Sequence, residues 1–365
     1  MTRNTLLGAM CAVFLAACAS TPSPPPPAAP PEPRAPVTPV AVLGETWIST
    51  PAPDDELDSV AAWPTEQGGL WLIATAKSSH RLVVHDGDSG QRLRTVGGPG
   101  GAPGQFNRPN GIAVFGDLLF VVERDNHRIQ IFELPTFKPL LAFGNDQLKS
   151  PYGLWVHETA PNQLELLVTD SFMADFRTGL LPPMEELDQR VKRFRISLDH
   201  EGLPHARYDG SFGDTTEAGA LRMVESIAGD PAHDRLLIAE EDRRVGSTLR
   251  DYRMDGRYRG HSLPIFDADA EGVMLWACTD TEGYWIAVDQ KRPTLFRVFD
   301  RQTLQPQGTF TGLEAANTDG GTLHAATTPR FPSGALFAVH DDQSLAAFDL
   351  RDIVRDLHLK ESCLR

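Results

Sequence analysis

The chain has 365 residues, with 49 acidic against 34 basic side chains and a formal net charge of −15. That balance excludes nucleic acid and a basic membrane-binding patch. About 320 residues follow the N-terminal low-complexity stretch, too many for one ordinary domain unless the fold is a barrel or a propeller.

Arg3 supplies a charged n-region, residues 6–17 a short apolar h-region, and Leu15-Ala16-Ala17-Cys18 reads as a bacterial lipobox. An apolar run this short, ending in small residues, is a secretory signal and not a membrane span. The alternative is ordinary signal cleavage beside an incidental cysteine; the proline-rich continuation favours lipidation of Cys18. Ala19 after the cysteine resembles lipoproteins sent to the outer membrane. Residues 1–17 are thus expected to be a lipoprotein signal peptide, and 18–44 a lipidated cysteine with a Pro/Ala-rich tether, extended over 21–40. Residues 45–365 form the expected globular domain, periplasmic or extracellular, touching the membrane only through its anchor and expected to be a monomer. Beyond Cys18 the domain keeps Cys278 and Cys363. The compartment permits a disulfide, but their separation in sequence does not show whether one forms.

From residue 58 onward a "polar–small–aliphatic" pattern recurs six times: Asp58-Ser59-Val60, Asn110-Gly111-Ile112, Tyr152-Gly153-Leu154, Glu225-Ser226-Ile227, Glu271-Gly272-Val273 and Asp319-Gly320-Gly321. The middle residues are 52, 42, 73, 46 and 48 positions apart. Such spacing, with short strands and turn residues, is the signature of propeller blades. A second apolar run (70–75, 118–122, 164–169, 236–239, 284–288, 335–339) and a third (81–86, 128–133, 191–196, 248–254, 294–300, 344–349) follow each pattern. A shorter fourth run closes on glycine at 93–97, 140–144, 208–213 and 308–312. The expected fold is all-β, a six-bladed β-propeller closed by an N-terminal strand, because the last unit lacks a strand and only residues 45–50 are left to supply it. The long interval holds an insertion, 171–190, whose Pro182-Pro183-Met184-Glu185-Glu186 reads as a short helix in a surface loop or lid.

In a propeller the first strand of each blade lines the central channel. The repeat therefore gathers Asp58, Asn110, Tyr152, Glu225, Glu271 and Asp319 at one mouth. Ends of the second strands add Lys77, Arg124, Asp170, Glu241, Gln290 and Asp341, and strand alternation turns Asp269 the same way as Glu271. Asp and Asn also begin strands because they suit turns, which accounts for Asn110 and Asp58 but not for successive blades supplying Glu225, Glu271 and Asp319 beside Glu241. Two carboxylates about 6 Å apart repel by roughly 3 kcal/mol at an effective dielectric of 20. Such a cluster calls for cations, and oxygen donors without His or Cys select a hard metal, calcium before magnesium. Lys77, Arg124 and Tyr152 on the same rim suit an anionic substrate. No catalytic triad or zinc motif is present, and the glycine-rich residues 97–104 lack the Gly-Lys-Ser/Thr ending of a phosphate loop.

The segments VESIAGD…LLIAEED, DAEGVMLWACTDTEGYWIAVDQ, NTDGGTLH and PYGLWVH resemble the β-propeller phytases, calcium-dependent enzymes that release phosphate from inositol phosphates. The likeness runs over most of 58–349 and is most specific in the second half. It implies a calcium and water site at Glu225, Glu241, Asp269, Glu271, Gln290 and Asp319, with Asp58 at a further metal position and several calcium ions bound. It also implies phosphate-binding roles for Lys77, Arg124 and Tyr152, and catalytic roles for Lys77, Tyr152, Glu225 and Glu241. The chain departs from the family at Asp58-Ser59-Val60, where two acids and a proline are usual, and at Asp170-Ser171, where a lysine is usual. Residues 105–133 also resemble NHL repeats of non-enzymatic propellers. The expected activity is calcium-dependent phosphomonoester hydrolysis of an anionic phosphoester; the alternatives are a calcium-dependent lactone or ester hydrolase and a non-catalytic NHL-like lipoprotein module.

Overall fold

Short segments alternating between buried aliphatic and polar residues, separated by Gly, Asp and Asn turns, can satisfy their backbones only by pairing with their neighbours in sequence. They do so in six antiparallel sheets, the blades of a β-propeller. A computed structural model describes residues 39–364. The expected signal peptide, the lipidated Cys18 and the tether up to residue 38 lie outside the described residues.

Blade 1 comprises Leu57–Pro64, Leu70–Ala76, Arg81–Asp86 and Arg92–Val96; blade 2, Pro109–Phe115, Leu118–Glu123, Arg128–Glu133 and Lys138–Phe143. Blade 3 comprises Pro151–Ala160, Gln163–Asp170, Val191–Leu198 and Pro204–Phe212; blade 4, Val224–Asp230, Arg235–Glu240, Thr248–Tyr252 and Tyr258–Ser262. Blade 5 is Ala270–Ala277, Gly283–Asp289, Leu295–Asp300 and Pro306–Gly312, and blade 6 is Gly321–His324, Ala335–His340 and Ser344–Asp349. Trp47–Ile48 pairs antiparallel with Ser344–Asp349 as the outermost strand of blade 6.

Ala41–Leu43, assigned to the tether from sequence, is instead a strand parallel to Pro306–Gly312, so the folded chain begins before residue 45. The Pro/Ala bias ends at Val40, and the following Ala-Val-Leu needs only an unpaired outer edge to become a strand. The insertion carries the expected short helix as a 3₁₀ turn, Met184–Gln189. After blade 6, Leu350–Leu357 forms an α-helix capped by the Asp349 side chain, which accepts from the Arg351 N–H.

The core consists of six apolar clusters. Between blades 1 and 2, for example, Ile73, Leu82 and Val84 meet Leu119, Val121 and Phe132. Packing both faces of each blade against its neighbours explains why second strands read as continuous apolar runs, and it fixes the inner strands around one axis. Cys278 and Cys363 form a disulfide that ties the C-terminal segment to blade 5, settling the pairing that sequence left open.

Candidate functional site at the channel mouth

The recurring pattern has a structural cause. In blades 1 to 5 the pairing register slips across the polar and small residues of the pattern, so each such pair is a β-bulge on the innermost strand. A bulge re-aims its side chains, here toward the channel mouth. The small residue is required because neighbouring blades nearly touch there. A Cβ on Gly111 would lie 2.4 Å from the Tyr152 carbonyl oxygen, and one on Gly153 would lie 2.7 Å from that of Glu225. Threonine hydroxyls stitch the same ring: Thr75 donates to the Asn110 carbonyl at 2.6 Å and Thr169 to that of Glu225 at 2.6 Å.

A second set of residues positions the ring from beneath. Glu123, Asp170, Glu240 and Asp289 end the second strands of four successive blades and are completely buried. Each accepts backbone N–H groups from the loop entering the first strand: Asn107 for Glu123, Ser150 for Asp170, Met223 for Glu240, and Asp267 and Ala268 for Asp289. Sequence reasoning missed this role, although an acid at the end of the second apolar run in four blades was its signal. Asp170, expected on the rim, is one of these buried anchors; Ser171 takes the rim position, as its N–H bonds the Ser150 carbonyl just as Glu241 bonds that of Met223.

Three of the expected metal ligands converge. Glu225, Glu241 and Glu271 each offer one carboxylate oxygen, all within 4.8 Å of one another. Asp58, Tyr152, Glu225, Glu271 and Asp319 line a cavity of about 20 Å³ at the mouth, room for one water or one ion. The side chains keep some surface on this cavity, but enough protein surrounds them for burial to dominate their ionisation. Burial, then Glu271, Asp58 and Asp319, push the Glu225 carboxyl well above the usual range. Burial and the repulsion of neighbouring carboxylates do the same to Glu241 and Glu271. Burial also pushes Asp319 up to about 7, with Lys77 opposing the shift.

Lys77, expected to grip substrate, is directed at the acids: its Nζ lies 3.0 Å from Asp58 and 3.1 Å from Asp319. Burial lowers its pKa, but the two carboxylates outweigh that and raise it. With only this ammonium against so much negative charge, the cluster holds it as a counter-ion. Gln290 donates to Asp319 and so orients that carboxylate instead of facing the three glutamates. Asp269 stands apart from the group of three; it adjoins Glu241 along a neighbouring cleft and binds Arg243, with Nη2 2.7 Å from Oδ2. Strand alternation turned it to the rim, but a guanidinium within reach there claims it.

Tyr152 and Arg124 are brought together as expected. They are close enough for each to influence the other's ionisation, and Arg124 binds Asp125 at 2.6 Å. Burial, then the Glu225 charge, raises the Tyr152 hydroxyl pKa, keeping it a donor. Asn110, on the same ring, is buried, and among the described residues its Oδ1 has no hydrogen-bond partner. Three carboxylate oxygens within 4.8 Å of one another, with no His or Cys among them, are what a hard cation satisfies, so the donor set fits calcium.

Beneath the mouth the channel narrows to a waist lined by Ser59, Gly111, Gly153, Ser226, Gly272 and Gly320. It widens beyond into a chamber of about 430 Å³, lined by residues of the inner strands.

Residues 106–132 match the NHL repeat family, covering the first three strands of blade 2. No curated protein matches the chain. Among solved structures, a Kuenenia stuttgartiensis hydrazine synthase chain superposes with a TM-score of 0.50 at 9% identity, over 85% of this chain and 81% of that one. At that identity the likeness carries the propeller fold alone. The match falls on the NHL-like stretch that residues 105–133 suggested.

Proposed function

We propose that the channel mouth is a calcium-dependent hydrolytic site whose substrates are phosphomonoesters. The observation that carries this reading is the convergence of Glu225, Glu241 and Glu271, from two blades, on one position within 4.8 Å. These three would hold the cation, with Asp58 and Asp319 as neighbouring carboxylates. Bound calcium supplies charge that draws anionic oxygens in and lowers the pKa of a water. The protein's own part is orientation and charge. Tyr152, which lines the same cavity as Glu225 and Glu271, and the nearby Arg124 offer donors suited to oxygens of a phosphoryl group. A carboxylate oxygen of Glu241 or Glu271 that is not engaged by the cation would take up the proton of an attacking water. Lys77 holds Asp58 and Asp319 apart from the substrate.

Asn110 favours a second reading, a calcium-dependent propeller hydrolase of lactones or esters, because a neutral carbonyl donor suits a less anionic substrate. The disulfide supports an oxidising compartment, in keeping with a lipid anchor at Cys18 and a periplasmic or extracellular domain. The test is product release from 4-nitrophenyl phosphate, inositol phosphates and aryl or lactone esters, with millimolar calcium and with EDTA. Calcium-dependent phosphate release carries the first reading and ester cleavage alone the second. Neither activity would leave a binding module of NHL type.

A further inference from the structure

Blades 2 and 3 frame another cavity, of about 290 Å³, lined by Arg124, His127, Lys149, Phe172, Met173 and Phe176. Arg124 stands between the two sites, since it also lies near Tyr152 of the mouth. Three of the lining residues come from the insertion 171–190, so the segment that lengthens the third repeat builds this wall.

The pocket has an unusual charge for so acidic a protein. Lys149 Nζ lies 4.2 Å from the Phe172 ring centroid, Arg190 Cζ 4.5 Å and Lys192 Nζ 5.9 Å. Arg190 is fully buried and donates only to carbonyls, those of Asp170, Phe172, Leu221 and Arg222. Lys192 is 3% exposed, and among the described residues neither it nor Lys149 is paired with a carboxylate. The acids nearby are Asp170, whose oxygens already accept the Lys149 and Ser150 N–H groups, Asp125 on Arg124, and Asp188 near Lys192. Positive charge is therefore in excess beside an aromatic wall. Phe176 is 56% exposed at the lip, with the Arg124 guanidinium 5.5 Å from its ring. Exposed aromatic surface next to Lys149, which has no carboxylate partner among the described residues, and the Arg124 guanidinium suits a ligand that is apolar in body and anionic at one end. An inorganic anion alone would leave the rings wet.

We propose that this pocket binds a flat organic anion, its body against Phe176 and its anionic group between Lys149 and Arg124. Its role as the seat for the alcohol side of the substrate rests on the hydrolytic reading of the mouth; the binding itself does not.

The test uses the full protein in EDTA, where catalysis is absent, titrated with benzoate, acetate and benzyl alcohol and followed by ligand-observed NMR. Benzoate is expected to bind about tenfold more tightly than either the charge alone or the ring alone. Lys149→Gln and Phe176→Ala, both at exposed positions, should each weaken benzoate about fivefold or more, and Glu225→Gln should not. Benzoate no tighter than the two half-ligands, or either pocket variant matching wild type, overturns the proposal. If phosphate release proves absent while benzoate binds in this manner, the hydrolytic reading falls and the pocket stands; the opposite pair of results removes the pocket alone.

Discussion

Lys77 Nζ lies 3.1 Å from Asp319 Oδ2, joining residues 242 positions apart in sequence. The contact spans the seam where blade 6 meets blade 1, and the same ammonium reaches Asp58 at 3.0 Å. Removing it leaves two carboxylates facing each other in a low-dielectric mouth. Breaking one side of a buried ion pair typically costs about 3–5 kcal/mol. Lys77→Met is therefore expected to lower the unfolding free energy in EDTA by roughly 3 kcal/mol. Urea unfolding measures it, and an unchanged midpoint would mean the seam does not depend on this charge.

Gly153 sits where blades 3 and 4 approach. An added Cβ would meet the Glu225 carbonyl oxygen at 2.7 Å and the Ser226 Cα at 3.0 Å, both backbone atoms that cannot swing aside. Gly153→Ala is expected to cost about 1–3 kcal/mol and to displace Glu225, weakening calcium binding as well. Gly116→Ala, where nothing lies within 4 Å, provides the comparison, although its φ of +55° adds some strain of its own. Unaltered calcium affinity in Gly153→Ala would show that the ring tolerates the methyl.

The close approach at Gly153 also explains why so much of this fold is legible in the sequence. Every blade must present a polar residue and then a small residue beside its neighbour, on a bulge in blades 1 to 5, so the pattern is printed six times. Constraints acting once leave weaker traces. Tyr258–Ser262, the outer strand of blade 4, reads YRGHS and is solvated, with no apolar alternation to reveal it. Leu350–Leu357 does carry buried Leu350, Ile353 and Val354 at helical spacing, but it follows a strand without a break. Within the site, proximity of the acids followed from the repeat. Which cation serves which acid did not, because Lys77 and Asp319, or Arg243 and Asp269, become neighbours only when the ring is complete.

Asp55 offers a pH-dependent test away from the acid cluster. It is 1% exposed; burial raises its carboxyl, but hydrogen bonds from Ser79 and Arg81 and the charges of Arg92 and Arg81 outweigh that, so its pKa is lowered. A lowered folded-state pKa contributes stability above the unfolded value of about 3.9, and that stability is lost as pH falls through the folded value. Asp55→Asn should thus destabilise the protein clearly near neutral pH, and the gap to wild type should shrink below about pH 3. A gap of constant size at both pH values would show that the carboxylate charge contributes nothing.

The N-terminal strands make a prediction about the ring as a whole. Trp47 pairs with Ala347 and packs against Phe337 with ring centroids 5.8 Å apart, while Ser49 Oγ accepts the Leu345 N–H at 2.9 Å. Glu45 accepts the N–H groups of Glu314 and Ala315 at 3.0 and 2.8 Å. A chain starting at Asp54 loses all of these and exposes the edges of Ser344–Asp349 and Pro306–Gly312. Relative to a chain starting at Thr38, it should melt many degrees lower or aggregate. Matching melting curves would show that blades 1 to 6 hold together without the N-terminal segment.

The cluster of Glu225, Glu241 and Glu271, with Asp58 and Asp319 beside it, predicts how stability responds to metal. Burial and mutual repulsion already raise the carboxyl pKa values of the three glutamates, so their ionised forms are unfavourable without a cation. Lys77 and Arg124 cannot neutralise them, since Lys77 is held by Asp58 and Asp319 and Arg124 by Asp125. An unfolded chain disperses these acids and binds calcium weakly. Free calcium at one hundred times its dissociation constant should therefore stabilise the fold by about 2.7 kcal/mol, seen as a melting temperature several degrees higher. Glu225→Gln, Glu241→Gln and Glu271→Gln keep the shape and remove a charge; each should shrink the calcium effect while raising the melting temperature in EDTA, because repulsion is relieved. Sodium chloride at matched ionic strength should not reproduce the shift, since screening supplies no coordination. The measurements are thermal melts in EDTA and in millimolar calcium, with calorimetric titration of the metal-free protein. Equal melting temperatures and no heat of binding at several temperatures would mean that these carboxylates hold no metal, and the hydrolytic reading would fall with them.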